Sequence, residues 1–217
     1  MNQPNSDTDG DKKGRGERPL NLREAQKQLT VSKLLEASRT IFHANGYAVA
    51  TVDDIVEEAG ASRATFYLYF ASKGHALEEL FNREHVDAVL KMLERFPSDP
   101  TVESLREWIS GFLELYSEQQ LTIRAWIQAG SRESEFRDDS LKALDHVLDN
   151  LSEHVQAIRL GLGLETSDES ARTRALLMFI SMHEFAYYEH IRNYPVNRKL
   201  GLELLAELWH AAIFGQR

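Results

Sequence analysis

The chain has 217 residues, a formal net charge of −9 at pH 7 and no cysteine. Without cysteine no disulfide can form, which excludes the disulfide-stabilised class of secreted domains and every zinc site built on thiolates. The length fits one small domain joined to a larger one. No stretch has the apolar region of a secretory signal or the length of a membrane span, so we expect a cytoplasmic protein without a membrane partner.

Residues 1–28 are predicted to be a disordered polar tail. They contain Gly and Pro and almost no aliphatic side chains, so folding them would bury too little surface to offset the entropy lost. Six basic side chains in this tail could follow the minor groove of DNA as a flexible arm, but five acidic residues dilute them. A solvated tail is the favoured interpretation, and the arm is the alternative.

Residues 51–70 have the pattern of two short helices joined by a glycine turn. Thr51 is suited to cap the first helix, with Asp54 three residues on, and an apolar stripe follows at helical spacing. Gly60 supplies the left-handed residue that ends a helix, and Ser62 can cap the second. A connection of this length that contains glycine is typical of a helix-turn-helix.

The second of these helices, residues 62–70, has aromatic and polar side chains where a buried helix would carry aliphatic ones. Phe66 and Phe70 lie four residues apart and are the predicted anchors, while Arg63 and Tyr67 lie on the other side. Taken alone, a short helix of this composition is more often a solvated surface helix. Its position after a capped helix and a glycine turn favours contact with DNA instead.

Residues 31–80 resemble the DNA-binding domain of the tetracycline-repressor (TetR) family. The shared features, in chain order, are Phe42, Gly46 and Tyr47 of an F-x-x-x-G-Y segment, Thr51, Ile55 and Val56 of the next helix, an Ala-Gly turn, a T-F-Y-x-Y-F run and a Ser-Lys pair. The resemblance implies a helix-turn-helix DNA-binding domain over residues 29–75. It also implies a ligand-binding and dimerisation domain over residues 76–217.

By this resemblance, residues 62–69 enter the major groove of a double-stranded operator. Arg63 is the favoured base reader because its guanidinium matches guanine O6 and N7, Ala64 allows close approach, and Tyr67 can pack on a base or reach phosphate. The other predicted contacts are to phosphate, which positions a protein without reading the sequence. They are Thr51, Ser62, Thr65, Tyr69 and Lys73.

The overall acidity argues against a nucleic-acid partner, since a basic patch is the usual footprint of such proteins. The distribution of charge answers part of this objection. Residues 1–75 hold ten basic and ten acidic residues, so the net negative charge lies in the rest of the chain. We therefore expect a salt-sensitive complex with modest nonspecific affinity.

From residue 76 onward the sequence predicts helices throughout, without the alternating pattern of strands. The helix that starts near residue 73 continues to about residue 95, and two prolines follow it. The later helices are predicted at residues 102–116, 121–129, 138–160, 168–193 and 197–214. The predicted fold is all-α with about nine helices, a three-helix N-terminal helix-turn-helix domain followed by a C-terminal antiparallel bundle.

The last two predicted helices carry more apolar side chains than a helix packed on one side requires, yet they are too short to span a membrane. In the family two such helices build the dimer interface, which implies a homodimer suited to a palindromic operator. The predicted interface residues are Leu202, Leu205, Leu208, Trp209, Ala212 and Ile213.

The resemblance also implies a small-molecule effector that lodges between the helices, displaces the fourth helix and competes with the operator. Aromatic and polar side chains of the larger domain are candidates for such an apolar pocket. They are Trp108, Phe112, Tyr116, Trp126, Phe179, Met182, His183 and Tyr187. Each is equally suited to an ordinary core position, and a buried histidine is more often a satisfied core or interface residue than a ligand contact.

The predicted function is a sequence-specific transcriptional regulator, in the family's usual mode a repressor released by a small, largely apolar effector. A DNA-binding dimer without an effector is the first alternative. An all-α enzyme is the second, but the sequence has no cysteine nucleophile, glycine-rich phosphate loop or G-x-S-x-G motif. No cofactor is expected, and no metal site, because His183 and Glu184 lack the second histidine of the zinc-protease motif.

Overall fold

The computed structural model describes residues 22–132 and 135–215, with the backbone alone at residue 135 and residues 137–140. The helices are α1 (Leu22–Asn45), α2 (Val52–Ala59), α3 (Arg63–Tyr69), α4 (Lys73–Phe81), α5 (Asp87–Leu93), α6 (Val102–Glu118), α7 (Gln120–Gly130), α8 (Glu135–Gly161), α9 (Asp168–Ala186) and α10 (Arg198–Phe214). Two π turns continue this pattern, the first (Asn82–Val86) between α4 and α5 and the second (Tyr187–Ile191) after α9. The described residues form no strand, which confirms the all-α prediction. Within the same residues, no helix combines the length and the apolarity needed to cross a bilayer.

Helix α1 begins at Leu22, so the predicted tail of residues 1–28 is wrong over its last seven residues, 22–28. These residues are exposed, and no core face holds them. Their helicity has a local cause, because Leu, Arg, Glu, Ala, Gln and Lys are all strong helix formers. The rest of the predicted tail, residues 1–21, lies outside the described residues, as does its possible contact with the minor groove.

Local hydrogen bonds set the direction in which α3 leaves the turn. Thr51 Oγ1 accepts from the N–H of Asp54 at 3.2 Å, and Asp54 Oδ2 accepts from the N–H of Thr51 at 2.8 Å, which completes a capping box at the start of α2. Gly60 ends α2 with a φ of 60°, where a residue with a Cβ is strained. Ser62 then caps α3, its Oγ accepting from the N–H of Thr65 at 3.0 Å.

Two aromatic anchors hold α3 against the rest of its domain. Phe66 is fully buried, Phe70 is 3% exposed, and their ring centroids lie 5.4 Å apart. Burial of each phenylalanine contributes on the order of 2 kcal/mol. The sequence-based assignment of these two residues as anchors is confirmed.

The first π turn interrupts the helix that joins the two domains. The N–H of Asp87 bonds the carbonyl of Asn82, five residues back, so the turn accommodates one extra residue. His85 lies in this turn with its ring buried and its centroid 5.0 Å from that of Phe81. The sequence predicted an uninterrupted helix because its apolar periodicity does not register a single inserted residue. Such turns are frequent at functional sites.

The core of the larger domain surrounds Trp209 of α10. Its side chain is fully buried, with the ring centroid 5.5 Å from that of Trp108 and 6.4 Å from that of Phe96. Arg159 of α8 is also buried and donates to the carbonyl of Ile213 at 2.6 Å. A cation suits the C-terminal end of a helix, where unpaired carbonyls carry partial negative charge. These contacts fix α8 against the end of α10.

Candidate DNA interface and ligand cavity

One face of α3 points away from the protein. The side chains of Arg63 and Tyr67 are 59% and 48% exposed, and Ala64 beside them is exposed as well. Behind this face lies the fully buried ring of Phe66. The arrangement presents a fork of N–H donors, an amphipathic ring and a small residue on a rigidly held helix.

Arg63 is engaged by an acidic neighbour. Its Nη1 lies 2.9 Å from each carboxylate oxygen of Asp53, on the adjacent helix α2. Its guanidinium carbon lies 6.0 Å from the ring centroid of Tyr67. The pKa of Arg63 is raised above its usual value. The main cause is its interaction with the Tyr67 side chain, and the second is the negative charge of Asp53. A base or phosphate that binds Nη1 of this guanidinium must therefore compete with Asp53.

Two of the hydroxyl groups predicted to contact phosphate, those of Thr51 and Ser62, also cap helices. Thr51 Oγ1 donates to Asp54 Oδ2 at 2.8 Å, and the hydroxyl oxygens of Ser62 and Thr65 lie 2.9 Å apart. Thr51 and Ser62 are exposed, so both stay within reach of a phosphate. Tyr69 is half-buried and packs against the core, which leaves less of it for DNA.

Lys73 has a structural role that the sequence did not reveal. Its Nζ donates to the carbonyls of Tyr47 and Ala50, each at 2.8 Å, and lies 4.5 Å from the ring centroid of Tyr47. The ammonium therefore ties the start of α4 to the loop before α2. The sequence did not reveal this role because both carbonyl partners are far away along the chain, and the phosphate contact of Lys73 stays a prediction.

A cavity of about 290 Å³ opens beside the first π turn, between α4, α7, α8 and α9. Its lining is mostly apolar, as expected of a ligand site. The lining residues are Phe81, His85, Val86, Val89, Ile123, Trp126, Ile127, Ala143, Leu144, Val147, Phe179, Ile180, His183 and Glu184. The rings of Phe81 and Trp126 stack with centroids 4.3 Å apart and form one aromatic wall.

Three predicted pocket residues line this cavity, namely Trp126, Phe179 and His183. The other five do not. Phe112, Tyr116 and Met182 are buried in the core, Trp108 packs beside Trp209, and Tyr187 opens the second π turn. The sequence missed Phe81, His85 and Val89, although they recur every four residues along one face. The same spacing is found on any helix face that packs in a core, so the sequence does not distinguish a cavity lining from ordinary core packing.

The buried ring of His85 is held by Gln119. Its Nδ1 lies 2.8 Å from Gln119 Oε1, and Gln119 Nε2 donates to the carbonyl of Glu84 at 2.6 Å. Burial lowers the pKa of His85. For His183, on α9, burial is the main cause that lowers the pKa to about 4. Both imidazoles are therefore neutral at physiological pH.

A chain of hydrogen bonds connects the first π turn to α1. Glu84 Oε2 accepts from the hydroxyl of Thr122 at 2.9 Å, and His43 Nε2 lies 3.0 Å from the same hydroxyl oxygen. Because the only hydrogen of the Thr122 hydroxyl goes to Glu84, His43 is the donor in the second bond. Arg39 of α1 adds an ion pair to Glu84 at 3.8 Å. The polar groups beside the cavity are thus connected to α1 through hydrogen bonds and an ion pair.

Exposed apolar side chains form a continuous face on α9 and α10. They are Leu177, Ile180, Leu200, Leu204 and Leu208, each between 45% and 62% exposed. The structure contradicts part of the predicted interface, because half of its residues are buried inside the subunit. Of its six residues, Leu208 is exposed, Leu202 and Ala212 are partly buried against the core, and Leu205, Trp209 and Ile213 are buried inside the subunit. Since α10 is apolar on both sides, periodicity could not show which side faces inward.

The N-terminal part of the chain matches known regulators. Residues 34–81 match the family model described as "Bacterial regulatory proteins, tetR family". The HTH-type transcriptional regulator YfiR of Bacillus subtilis is 33% identical over 87 residues, 40% of each chain. The regulator EthR of Mycolicibacterium smegmatis is 32% identical over 124 residues, 54% of this chain and 51% of the relative. The chain therefore spans about half, or less, of the length of the curated relatives it matches.

Solved structures share the fold over nearly the whole described chain. Salmonella enterica GusR superposes with a TM-score of 0.66 at 18% identity, over 84% of this chain and 96% of that one. The regulator FadR from Bacillus subtilis, in complex with stearoyl-CoA, gives 0.62 at 21% identity, over 86% and 99%. At these identities the likeness concerns the fold alone.

Fold and exposed α3 together define a helix-turn-helix protein with an appended helical bundle. Residues 34–81 are therefore similar to the tetR family of bacterial regulatory proteins, and the relatives matched by this part of the chain are HTH-type transcriptional regulators.

Proposed function

We propose that this protein is a homodimeric transcriptional repressor that binds a palindromic operator through α3 and leaves it when a small, largely apolar effector fills the cavity. The single observation that carries the proposal is the outward face of Arg63, Ala64 and Tyr67 over the buried anchor Phe66. A chromosomal operator as partner implies a cytoplasmic location. The match of residues 34–81 to the tetR family model, and the likeness to HTH-type transcriptional regulators, support regulation over the enzyme alternative.

The apolar face on α9 and α10 supports the dimer. Monomeric proteins rarely leave a contiguous apolar patch in water, and five large aliphatic side chains are exposed on this one. A two-fold axis through the face would present two copies of α3 to two half-sites about one helical turn apart. The prediction of a homodimer is therefore kept, with Leu177, Ile180, Leu200, Leu204 and Leu208 as its centre.

The cavity supports control by an effector. It lies against Phe81 and the first π turn, in the helix whose N-terminal end Lys73 ties to the DNA-binding domain. A ligand that favours another position of this turn would alter the position of α3 as well. Coupling of about 1–3 kcal/mol, a factor of about 5 to 150 in operator affinity, would suffice for a switch. The complex of the structural neighbour FadR from Bacillus subtilis with stearoyl-CoA supports the proposal of a ligand site in this fold.

Selection from a random DNA pool tests the DNA-binding part. We expect the wild type to enrich a palindrome, and Arg63→Ala to weaken binding to it by about 5- to 150-fold, with discrimination lost at one position of each half-site. Tyr67→Ala should weaken binding to the same palindrome. The matched control is Arg106→Ala, since this exposed arginine is paired with Glu103 but lies on α6. Equal losses for Arg63→Ala and Arg106→Ala would contradict the proposal.

Whether an effector exists is a separate question. The alternative, a DNA-binding dimer without one, predicts that no apolar compound raises the melting temperature or changes operator affinity. A ligand that binds the cavity yet shifts operator affinity less than about twofold at saturation would support that alternative.

A further inference from the structure

Among the described residues, the cavity has few polar groups, and none of them belongs to a lysine or an arginine. Eleven of its fourteen lining residues are apolar, and the remaining three are His85, His183 and Glu184. No lysine or arginine lines the cavity among the residues that the structure describes. Glu184 is exposed at the mouth and brings a negative charge. The character of a ligand's polar group therefore depends on the two histidines and this carboxylate.

Hydrogen bonds fix the proton on His85. The carbonyl of Glu84 can only accept, so the Gln119 atom 2.6 Å from it must be the amide nitrogen. The amide oxygen of Gln119 then faces His85 Nδ1 at 2.8 Å, and Nδ1 must carry the hydrogen. A neutral imidazole with a protonated Nδ1 has a lone pair on Nε2. The ring nitrogen left for a ligand is therefore an acceptor.

The second histidine of the lining, His183, offers no positive charge either. The ring of His183 lies 5.6 Å from that of Phe179 and 5.5 Å from that of Tyr116, in an apolar setting that keeps the imidazole neutral. A buried anion needs a cation or several donors to replace its water shell. Neither histidine supplies a cation here, and Glu184 repels an anion at the entrance.

We infer that the effector cavity takes an uncharged ligand with a largely apolar, aromatic body and one hydrogen-bond donor, such as an alcohol or a phenol, and excludes carboxylates. The donor binds His85 Nε2, while the stacked Phe81 and Trp126 receive the apolar body. This inference rests on the proposed effector site and specifies the chemistry of its ligand. Ligands with acidic groups, as in an acyl-CoA, are poorly suited to this lining.

Three matched probes test it, namely 4-phenylbutan-1-ol, its methyl ether and 4-phenylbutyrate. The ether has the same body and can accept but not donate, and the carboxylate adds the charge. Titration calorimetry at pH 7.5 with the full chain should give a dissociation constant for the alcohol about tenfold lower than for the ether. The carboxylate should bind still more weakly. His85→Phe should bring alcohol and ether within about twofold of each other.

The control is Val89→Ala, which trims the apolar wall and should weaken all three probes alike. The order of the three dissociation constants in the wild type tests the inference by itself. The test therefore does not depend on whether the His85→Phe protein folds. An alcohol that binds no better than its ether, or a carboxylate that binds as well as the alcohol, would overturn the inference and leave the effector site standing. Failure of all three to bind at about 1 mM would remove the proposed effector site too. Operator binding is measured separately, and none of these ligand results decides whether the protein binds DNA.

Discussion

At the residue scale, Asp53 competes with DNA for Arg63. Asp53→Asn removes the ion pair at 2.9 Å and one negative charge beside the operator, so we expect operator affinity to rise by up to about fivefold. The measurement is fluorescence anisotropy with labelled operator at two salt concentrations. Glu103→Gln is the matched control, because it releases Arg106 from an equivalent pair on α6. Weaker binding by Asp53→Asn would mean that this pair positions Arg63 for DNA.

His183 makes the stability of the protein sensitive to acid. Its pKa is about 4 in the folded protein and near 6.5 when exposed, so the unfolded chain binds the proton first as the pH falls. Its contribution to stability is complete above pH 6.5 and is lost as the pH falls towards 4, by about 3 kcal/mol in the free energy of unfolding. Urea titrations of the wild type and His183→Gln across this range should diverge in slope. Parallel curves would show that the ring takes up its proton without unfolding.

At the element scale, the first π turn lines the cavity and is also hydrogen-bonded, through Thr122, to His43 of α1. Thr122→Val keeps the side-chain shape but removes the hydroxyl that links Glu84 to His43. Because Thr122 does not line the cavity, ligand affinity should change little, whereas the ratio of operator affinities without and with ligand should fall by at least about twofold.

Operator binding with and without saturating ligand gives this ratio directly. Ser110→Ala is the control, since it removes a hydroxyl from α6 whose hydrogen bond goes to Glu114 on the same helix. An unchanged ratio in Thr122→Val would show that the cavity communicates with α3 through α4 alone.

The elements differ in how far the sequence could predict them. The helix-turn-helix was predictable because its determinants are local, with Thr51, Gly60 and Ser62 each acting within a few residues. The structural role of Lys73 was not predictable, because its two carbonyl partners lie more than twenty residues away. The π turn could not be predicted because one inserted residue does not change the apolar periodicity. For the same reason His85, which lies in this turn, was not predicted as a cavity residue.

At the scale of the whole molecule, the apolar face on α9 and α10 should hold two subunits together. Leu204→Glu places a charge at its centre, on a side chain that is 55% exposed and so adds little to the fold of one subunit. We expect sedimentation to show a monomer with an unchanged melting temperature at low concentration, and a large loss of operator affinity. Leu162→Glu, at a leucine that is 53% exposed outside this face, should remain dimeric. A dimeric Leu204→Glu protein would refute this interface.

The spacing of half-sites tests the central claim most directly, because a rigid pair of α3 helices fits only one separation. The measurement compares operator affinity for the selected palindrome with that for a version in which about five base pairs, roughly half a helical turn, are inserted at its centre. The account predicts that the inserted operator binds no better than unrelated DNA at the same salt concentration. Equal affinity for both operators would contradict it, because each half-site would then be bound independently of the other.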